Sequence, residues 1–286
     1  MKNGGSPFVW YELMTSDAKQ AQDFYSKVIG WTAKDAGMPG MKHTLFDALG
    51  CTIAGMMALS DLPGEGCMDA RPGWLGYIGV ADVDAAAEKV MAEGGKILRA
   101  AGDIPGVGRF AVAADPQGAV FSLYSPKADM EPPADFGSRK VGHPSWHELY
   151  ARDGEAVFPF YEKVFGWKLS RDFDMGSMGK YKVFSVDGAD MGGIMTAHPV
   201  QKTVGASILW LMGLGLLPRV SNRLVERCWL DRWKFQMENG SSNAATRKTF
   251  RSLWCQPKSN LRIHTHLPIK VLAASGSPVP DQKSSS

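Results

Sequence analysis

A chain of 286 residues with 44% apolar, 21% charged and 10% aromatic side chains has globular composition and the length of about two domains. That excludes a wholly disordered chain, a collagen-like chain and a small disulfide scaffold. The net charge of +3 hides an asymmetry: residues 1–198 carry 19 Lys+Arg against 25 Asp+Glu, and residues 199–286 carry 13 against 4. The four cysteines, Cys51, Cys67, Cys228 and Cys255, make no C-x-x-C pair. Neither a zinc cluster nor a disulfide frame is expected, and a reducing, cytoplasmic setting is. Met1–Ser6 lacks the apolar core of a secretion signal. The longest apolar run, Ile208–Leu217, is about half the ~20 residues a membrane helix needs, so no membrane partner is expected.

In chain order, Phe8–Met14 is rich in bulky residues and predicts a strand. Ser16 or Asp17 then caps a helix with Ala21, Phe24, Tyr25 and Val28 on one face, and Gly30 ends it. Strands are predicted near Trp31–Lys34, His43–Ala48 and Thr52–Met57. The same order returns with a different sequence over 74–125. A strand at Tyr77–Val80 precedes a helix capped by Asp82 and stopped by Gly94-Gly95. Strands follow near Lys96–Arg99, Arg109–Ala114 and Ala119–Tyr124, with Asp115-Pro-Gln-Gly118 turning between the last two. Lys127–His143, with Pro132, Pro133 and little apolar content, reads as a linker.

A third copy follows at an offset of 136. Val9-Trp-Tyr-Glu-Leu13 returns as Ser145-Trp-His-Glu-Leu149, Phe24-Tyr25 as Phe160-Tyr161, and Gly30-Trp31 as Gly166-Trp167. Ala54-Gly-Met-Met57 answers Gly192-Gly-Ile-Met195 with the offset drifting by two. The predicted organisation is a complete unit of two βαβββ modules over 1–126, a linker over 127–143, a third module over 144–198 and an anomalous tail over 199–286. Pro159 falls inside the third helix, which predicts a start near Val157 or a kink.

A capped helix ending in Phe-Tyr-x-x-Val-x-Gly-Trp, the segment Asp103-Ile-Pro-Gly-Val-Gly-Arg-Phe110 and a closing Asp-Pro-x-Gly resemble the vicinal oxygen chelate superfamily, the glyoxalase, bleomycin-resistance and extradiol-dioxygenase group. The resemblance covers 8–197 and is to its two-domain glyoxalase-like proteins. It implies an α+β fold in which paired βαβββ modules form a curved mixed sheet around a cleft. It also implies a divalent metal in that cleft, held by His, Gln or Glu from the first strand of each module and from the last strand. Those positions fall here on Trp10, Trp146, near Leu75 and on Ser122. Tryptophan and leucine do not ligate metals and one serine does not hold one, so neither a metal nor another cofactor is expected.

Glu12 is the leading catalytic candidate. Strand alternation puts it on the face of Trp10, and a carboxylate beside an indole wall suits a general base. The alternative is a glutamate that bonds a backbone amide or an arginine between modules. Glu148 beside Trp146 repeats the pattern. His147, on the opposite face like its counterpart Tyr11, reads as a structural histidine. Tyr77, Ser122 and Tyr124 are candidate cleft hydroxyls, and His43 is a cleft or surface histidine. Arg109 is a candidate clamp for an anionic substrate or a solvated strand-end arginine. The expected partner is a small molecule. The activity implied is a metal-independent, glyoxalase-like reaction on a small carbonyl or hydroxylated compound, and the alternative is a non-catalytic binder of bleomycin-resistance type.

After Pro199 the Asp-capped Ala-rich helix and the Asp-Pro-x-Gly turn of a fourth module are missing. The charge shift coincides with that loss near 198–202. Three readings of 199–286 stand: an out-of-frame translation, a basic extension that binds nucleic acid or an acidic partner, and an unrelated small domain. Nucleic acid is not the expected partner. His264-Thr-His266 lacks a nearby third metal ligand other than Cys255. A half-built second unit is expected to expose Trp146 and Ile194 and to self-associate through that face.

Overall fold

The computed structural model describes residues 4–38, 40–62, 71–127, 140–176 and 179–197, and the strand at 210–214. The first module is β1 (Phe8–Thr15), α1 (Ala18–Val28), β2 (Thr32–Asp35), β3 (Thr44–Ala48) and β4 (Cys51–Ala58). The second is β5 (Gly73–Gly79), α2 (Val83–Ala92), β6 (Lys96–Ile104), β7 (Gly108–Ala114) and β8 (Val120–Pro126). The third is β9 (Pro144–Ala151), α3 (Gly154–Phe165), β10 (Lys168–Asp174), β11 (Lys180–Val186) and β12 (Ala189–Thr196). A further strand, β13 (Trp210–Leu214), lies within the tail. The remaining tail, including His264 and His266, and most of the predicted linker lie outside the described residues. Among the described residues no helix is long and apolar enough to cross a membrane.

Each helix begins on the same device. Asp17, Asp82 and Asp153 sit in extended conformation, and their carboxylates accept from Gln20 N, from Asp84 N and Ala85 N, and from Glu155 N and Ala156 N. An aspartate in this place satisfies amides that have no partner within the helix. Gly166 closes α3 at φ 71°, a conformation that a side chain disfavours. α3 runs unbroken from Gly154 with Pro159 inside it, so the predicted start at Val157 is corrected. The Asp153 cap and seven buried positions along α3 outweigh the hydrogen bond that proline removes.

Modules one and two share one eight-stranded sheet, in the order β2-β3-β4-β1-β5-β8-β7-β6. β1 joins them by running antiparallel to β5 and parallel to β4. β5 starts at Gly73, four residues before the predicted strand, because Trp74 and Leu75 already pair with Leu13 and Glu12. Side chains on one face pack under the helices and supply the core, with Tyr11, Phe46, Ile78, Phe121 and Leu123 all buried. The alternate residues form a helix-free face.

The third module builds a second sheet, β10-β11-β12-β9-β13. β13 runs antiparallel to β9, with Trp210 opposite Leu149 and Leu211 opposite Glu148. In the first sheet Trp74 stands opposite Leu13 and Leu75 opposite Glu12. All these pairs differ by the offset of 136, so the repeat extends past residue 202 to Leu211. Ile194 faces the helix and is fully buried, which corrects its expected place on an exposed inner face. Trp146 is half-buried.

The two halves meet by contacts that obey the same offset. Trp31 Nε1–H donates to Gly142 O at 2.8 Å, and Trp167 Nε1–H donates to Ser6 O at 2.7 Å. Tyr11 and His147 bond to each other at 2.5 Å. Reciprocal contacts of this kind mark an approximate two-fold axis, and a residue that meets its own counterpart lies on it.

Candidate active site

The site is built on β1. Glu12 points to the helix-free face, where it is only 4% exposed. His43, immediately before β3, reaches it: His43 Nε2 lies 2.9 Å from Glu12 Oε1. Trp10 Nε1–H donates to the other oxygen, Oε2, at 3.2 Å. The pair lies over Gly55 on β4, the register partner of Glu12. A Cβ at position 55 would overlap both Glu12 Oε2 and His43 Nε2, so the missing side chain makes room for the pair. Burial disfavours the His43 imidazolium, but the hydrogen bond and charge of Glu12, with Asp35 behind, outweigh it and raise its pKa above the ordinary value.

Across the sheet, Trp10 is opposite Tyr77 and Tyr77 is beside Ser122. Burial, then the charge of Glu12, pushes the Tyr77 hydroxyl far above its ordinary pKa, so it stays protonated and can donate. Ser122 Oγ is fully buried beside Tyr77, its register partner. Its hydrogen-bonding influence on the Tyr77 hydroxyl works against the rise that burial imposes. Tyr124 closes the wall edge-on to Tyr77 at 6.4 Å between centroids, and its hydroxyl donates to Val107 O at 3.2 Å. The structure thus gathers Trp10, Glu12, His43, Tyr77, Ser122 and Tyr124 on one face.

Arg109 does not join them. It holds Asp84 through Nε and Nη2 at 2.8 and 2.9 Å and Asp103 through Nη1 at 2.9 Å, on the side of α2. Its neighbour Phe110 is the residue that reaches the helix-free face, stacked on Tyr77 at 6.4 Å.

The third module repeats the site with other chemistry. Glu148 accepts from Tyr150 at 2.8 Å and from Tyr181 at 3.0 Å, and Trp146 Nε1–H donates to the Tyr181 hydroxyl at 2.9 Å. Gly193 makes the room that Gly55 makes in the first copy. A phenol therefore replaces the imidazole of His43.

A metal ion of the kind the fold implies does not fit this donor set. The ligand positions carry Trp10, Leu75 and Ser122. Glu12 and His43, a carboxylate and an imidazole on this face, are already bonded to each other. Among the described residues no three His, Cys, Asp or Glu side chains converge.

A family model described as Glyoxalase/Bleomycin resistance protein/Dioxygenase superfamily matches residues 8–123. A curated Mycobacterium bovis protein named "Putative glyoxylase CFP32" is 30% identical over 188 residues, which is 65% of this chain and 69% of that protein. The anthracycline biosynthesis protein DauV of Streptomyces sp. is 31% identical over 175 residues, 57% of this chain and 61% of that protein. The Mn(II)-bound glyoxalase from Novosphingobium aromaticivorans aligns at a TM-score of 0.48 and 17% identity, over 74% of this chain and 65% of that one. An extradiol ring-cleaving dioxygenase from B. fuscum aligns at 0.49 and 13%, over 68% and 56%.

Proposed function

We propose, for a chain that belongs to the glyoxalase/bleomycin resistance protein/dioxygenase superfamily, that modules one and two bind a small carbonyl or hydroxylated compound on the helix-free face. Glu12 moves a proton to or from that compound without a metal ion. The observation that carries this reading is the buried Glu12–His43 pair over Gly55. A carboxylate held at both oxygens is oriented, and a base must be oriented before its basicity matters.

The reaction class is proton abstraction beside a carbonyl. The substrate C–H bond breaks, its proton goes to a Glu12 oxygen, and the electron pair stays on the substrate as an enolate. The protonated Tyr77 hydroxyl stands on the same face as a donor to the enolate oxygen, with Ser122 behind it. His43 holds the Glu12 carboxylate in position between turnovers. The hydroxyl proton of that enolate passes to its enolate oxygen, and Glu12 returns its proton to the former carbonyl carbon, which completes an isomerisation.

The aromatic lining of Trp10, Tyr77, Phe110 and Tyr124 favours a second reading, in which the same face only sequesters an aromatic compound. Replacement of Glu12 by Gln separates the two. With α-hydroxy ketones in D2O, the native chain should exchange the α-proton by NMR and Glu12→Gln should lose at least 100-fold of that rate while still binding. Absence of exchange in the native chain, with binding intact in both, favours the binder.

A further inference from the structure

Of the strand cations on the helix-free face, Lys34 is paired with Asp47, whereas Arg99 is used by neither the mechanism nor the core. Arg99 lies on β6, four strands from Glu12. A cross-sheet row runs from Trp10 to Tyr77, Ser122, Val112 and Arg99. At ~4.8 Å per strand that row is an arc of roughly 19 Å.

A break in strand register decides which way Arg99 points. Ile97 pairs with Ala113, on the core face, and in an unbroken strand residue 99 would follow it there. The register shifts between Ile97 and Arg99, so that Arg99 pairs with Val112 on the opposite face. A second shift follows before Gly102. Irregularities of this kind re-aim a side chain. The guanidinium then lies 4.6 Å over the ring centroid of Phe110, which is itself stacked on Tyr77. Among the described residues Arg99 has no carboxylate at ion-pair distance. Asp103, the carboxylate of β6 itself, is taken by Arg109.

We propose that Arg99 recognises the carboxylate of an aromatic ligand whose ring lies against Phe110 and Tyr77. A guanidinium stacked on an aromatic ring keeps its N–H edge free, and that planar edge matches a carboxylate in two parallel hydrogen bonds. The proposal rests on the reading of this face as the ligand face and adds a substrate class to it: a carbonyl or hydroxylated compound that also carries an aromatic ring and a carboxylate.

Calorimetric titration of the full chain with 3-hydroxy-2-naphthoate and with 2-naphthol tests it, because the two probes share a ring system and differ in the carboxylate. The native protein should bind the naphthoate about tenfold more tightly, as expected for a charge-assisted pair. Arg99→Gln should remove that preference by weakening the naphthoate alone, and Arg99→Lys should keep part of it. Equal affinities in the native protein, or a preference that survives Arg99→Gln, would overturn the assignment of Arg99 alone. So would loss of both probes in Arg99→Gln, which would mark a packing role for the arginine over Phe110. If the native protein binds neither probe, the ligand-face reading falls with it.

Discussion

Tyr11 and His147 hold the same position in two copies of a repeat, and they bond to each other on the axis that relates the copies. His147 Nδ1 is 2.8 Å from Met191 O, and a carbonyl only accepts, so the proton sits on Nδ1 and Nε2 is left as the acceptor for the Tyr11 hydroxyl. Phe8 stacks on the imidazole at 4.1 Å and 11°, which shuts water out. A tyrosine in one copy and a histidine in the other thus give the axis one donor and one acceptor. Tyr11→Phe should leave Nε2 buried and unpartnered and lower stability by roughly 1–3 kcal/mol in urea denaturation.

The buried imidazole also sets an acid limit. Burial lowers the His147 pKa to about 4, against which its bond to Met191 O works only partly. The unfolded chain takes up a proton near pH 6.5 and the folded chain does not until about 4. The stabilising contribution is therefore complete above 6.5 and is lost as the pH falls through that window. At ~1.4 kcal/mol per unit the loss amounts to roughly 3 kcal/mol. Urea midpoints measured from pH 7.5 to 4 should fall steeply in the native chain and less steeply in His147→Gln. An equal slope in both would refute the assignment.

His43 titrates in the opposite sense. Its pKa is raised in the folded state because Glu12 outweighs the effect of burial. Its contribution is thus complete below about pH 6.5 and is lost as the pH rises through the folded value. Glu12→Gln should abolish this alkaline decline and return the His43 proton resonances to a titration at or below the ordinary histidine range. NMR titration of the imidazole reads this directly.

Gly55 is the hinge of that pair. The atoms a Cβ would overlap are the ends of two side chains rather than backbone, so they can move aside without unfolding the sheet. Gly55→Ala should change stability by no more than ~1 kcal/mol, yet separate Glu12 from His43 and lower the His43 pKa. Proton exchange should fall by at least tenfold. If the His43 titration in Gly55→Ala matches that of the native chain, Gly55 has another role.

The element order over 8–197 was legible because it is repeated and because aspartate caps and glycine stops bracket each helix. The face of Glu12 was legible from alternation along β1. What alternation cannot give is which distant side chain arrives there. His43 comes into reach only through the antiparallel β3–β4 pair and the parallel β4–β1 pair, neither of which has a local signal. Arg109 was a candidate because it follows a turn at a strand end, and Arg99 was not singled out because the bulge in β6 that sets its face has no local signal. β13 was missed because two residues, Trp210 and Leu211, are all that the repeat leaves in the tail, and strand register is what aligns them with Trp74 and Leu75.

The two-fold relation also distinguishes two phenylalanines. Phe160 on α3 is 5% exposed, packed at 6.4 Å against Phe121 of module two, while Tyr161 beside it donates to Asp115 Oδ2 at 2.9 Å. Gln117 reinforces the same junction by bonding both the N–H and the carbonyl of Asp153. Phe24 is the counterpart of Phe160 on α1 and is 42% exposed, with Trp74 Nε1–H donating instead to Tyr25. Equal sequence positions therefore carry unequal burial. Phe160→Ala should lower stability by about 3–5 kcal/mol, the usual loss for a large buried ring. Phe24→Ala should lower it by less than ~1 kcal/mol. Parallel urea denaturation of the two variants checks this, and losses of equal size would mean that Phe24 is covered in solution as Phe160 is.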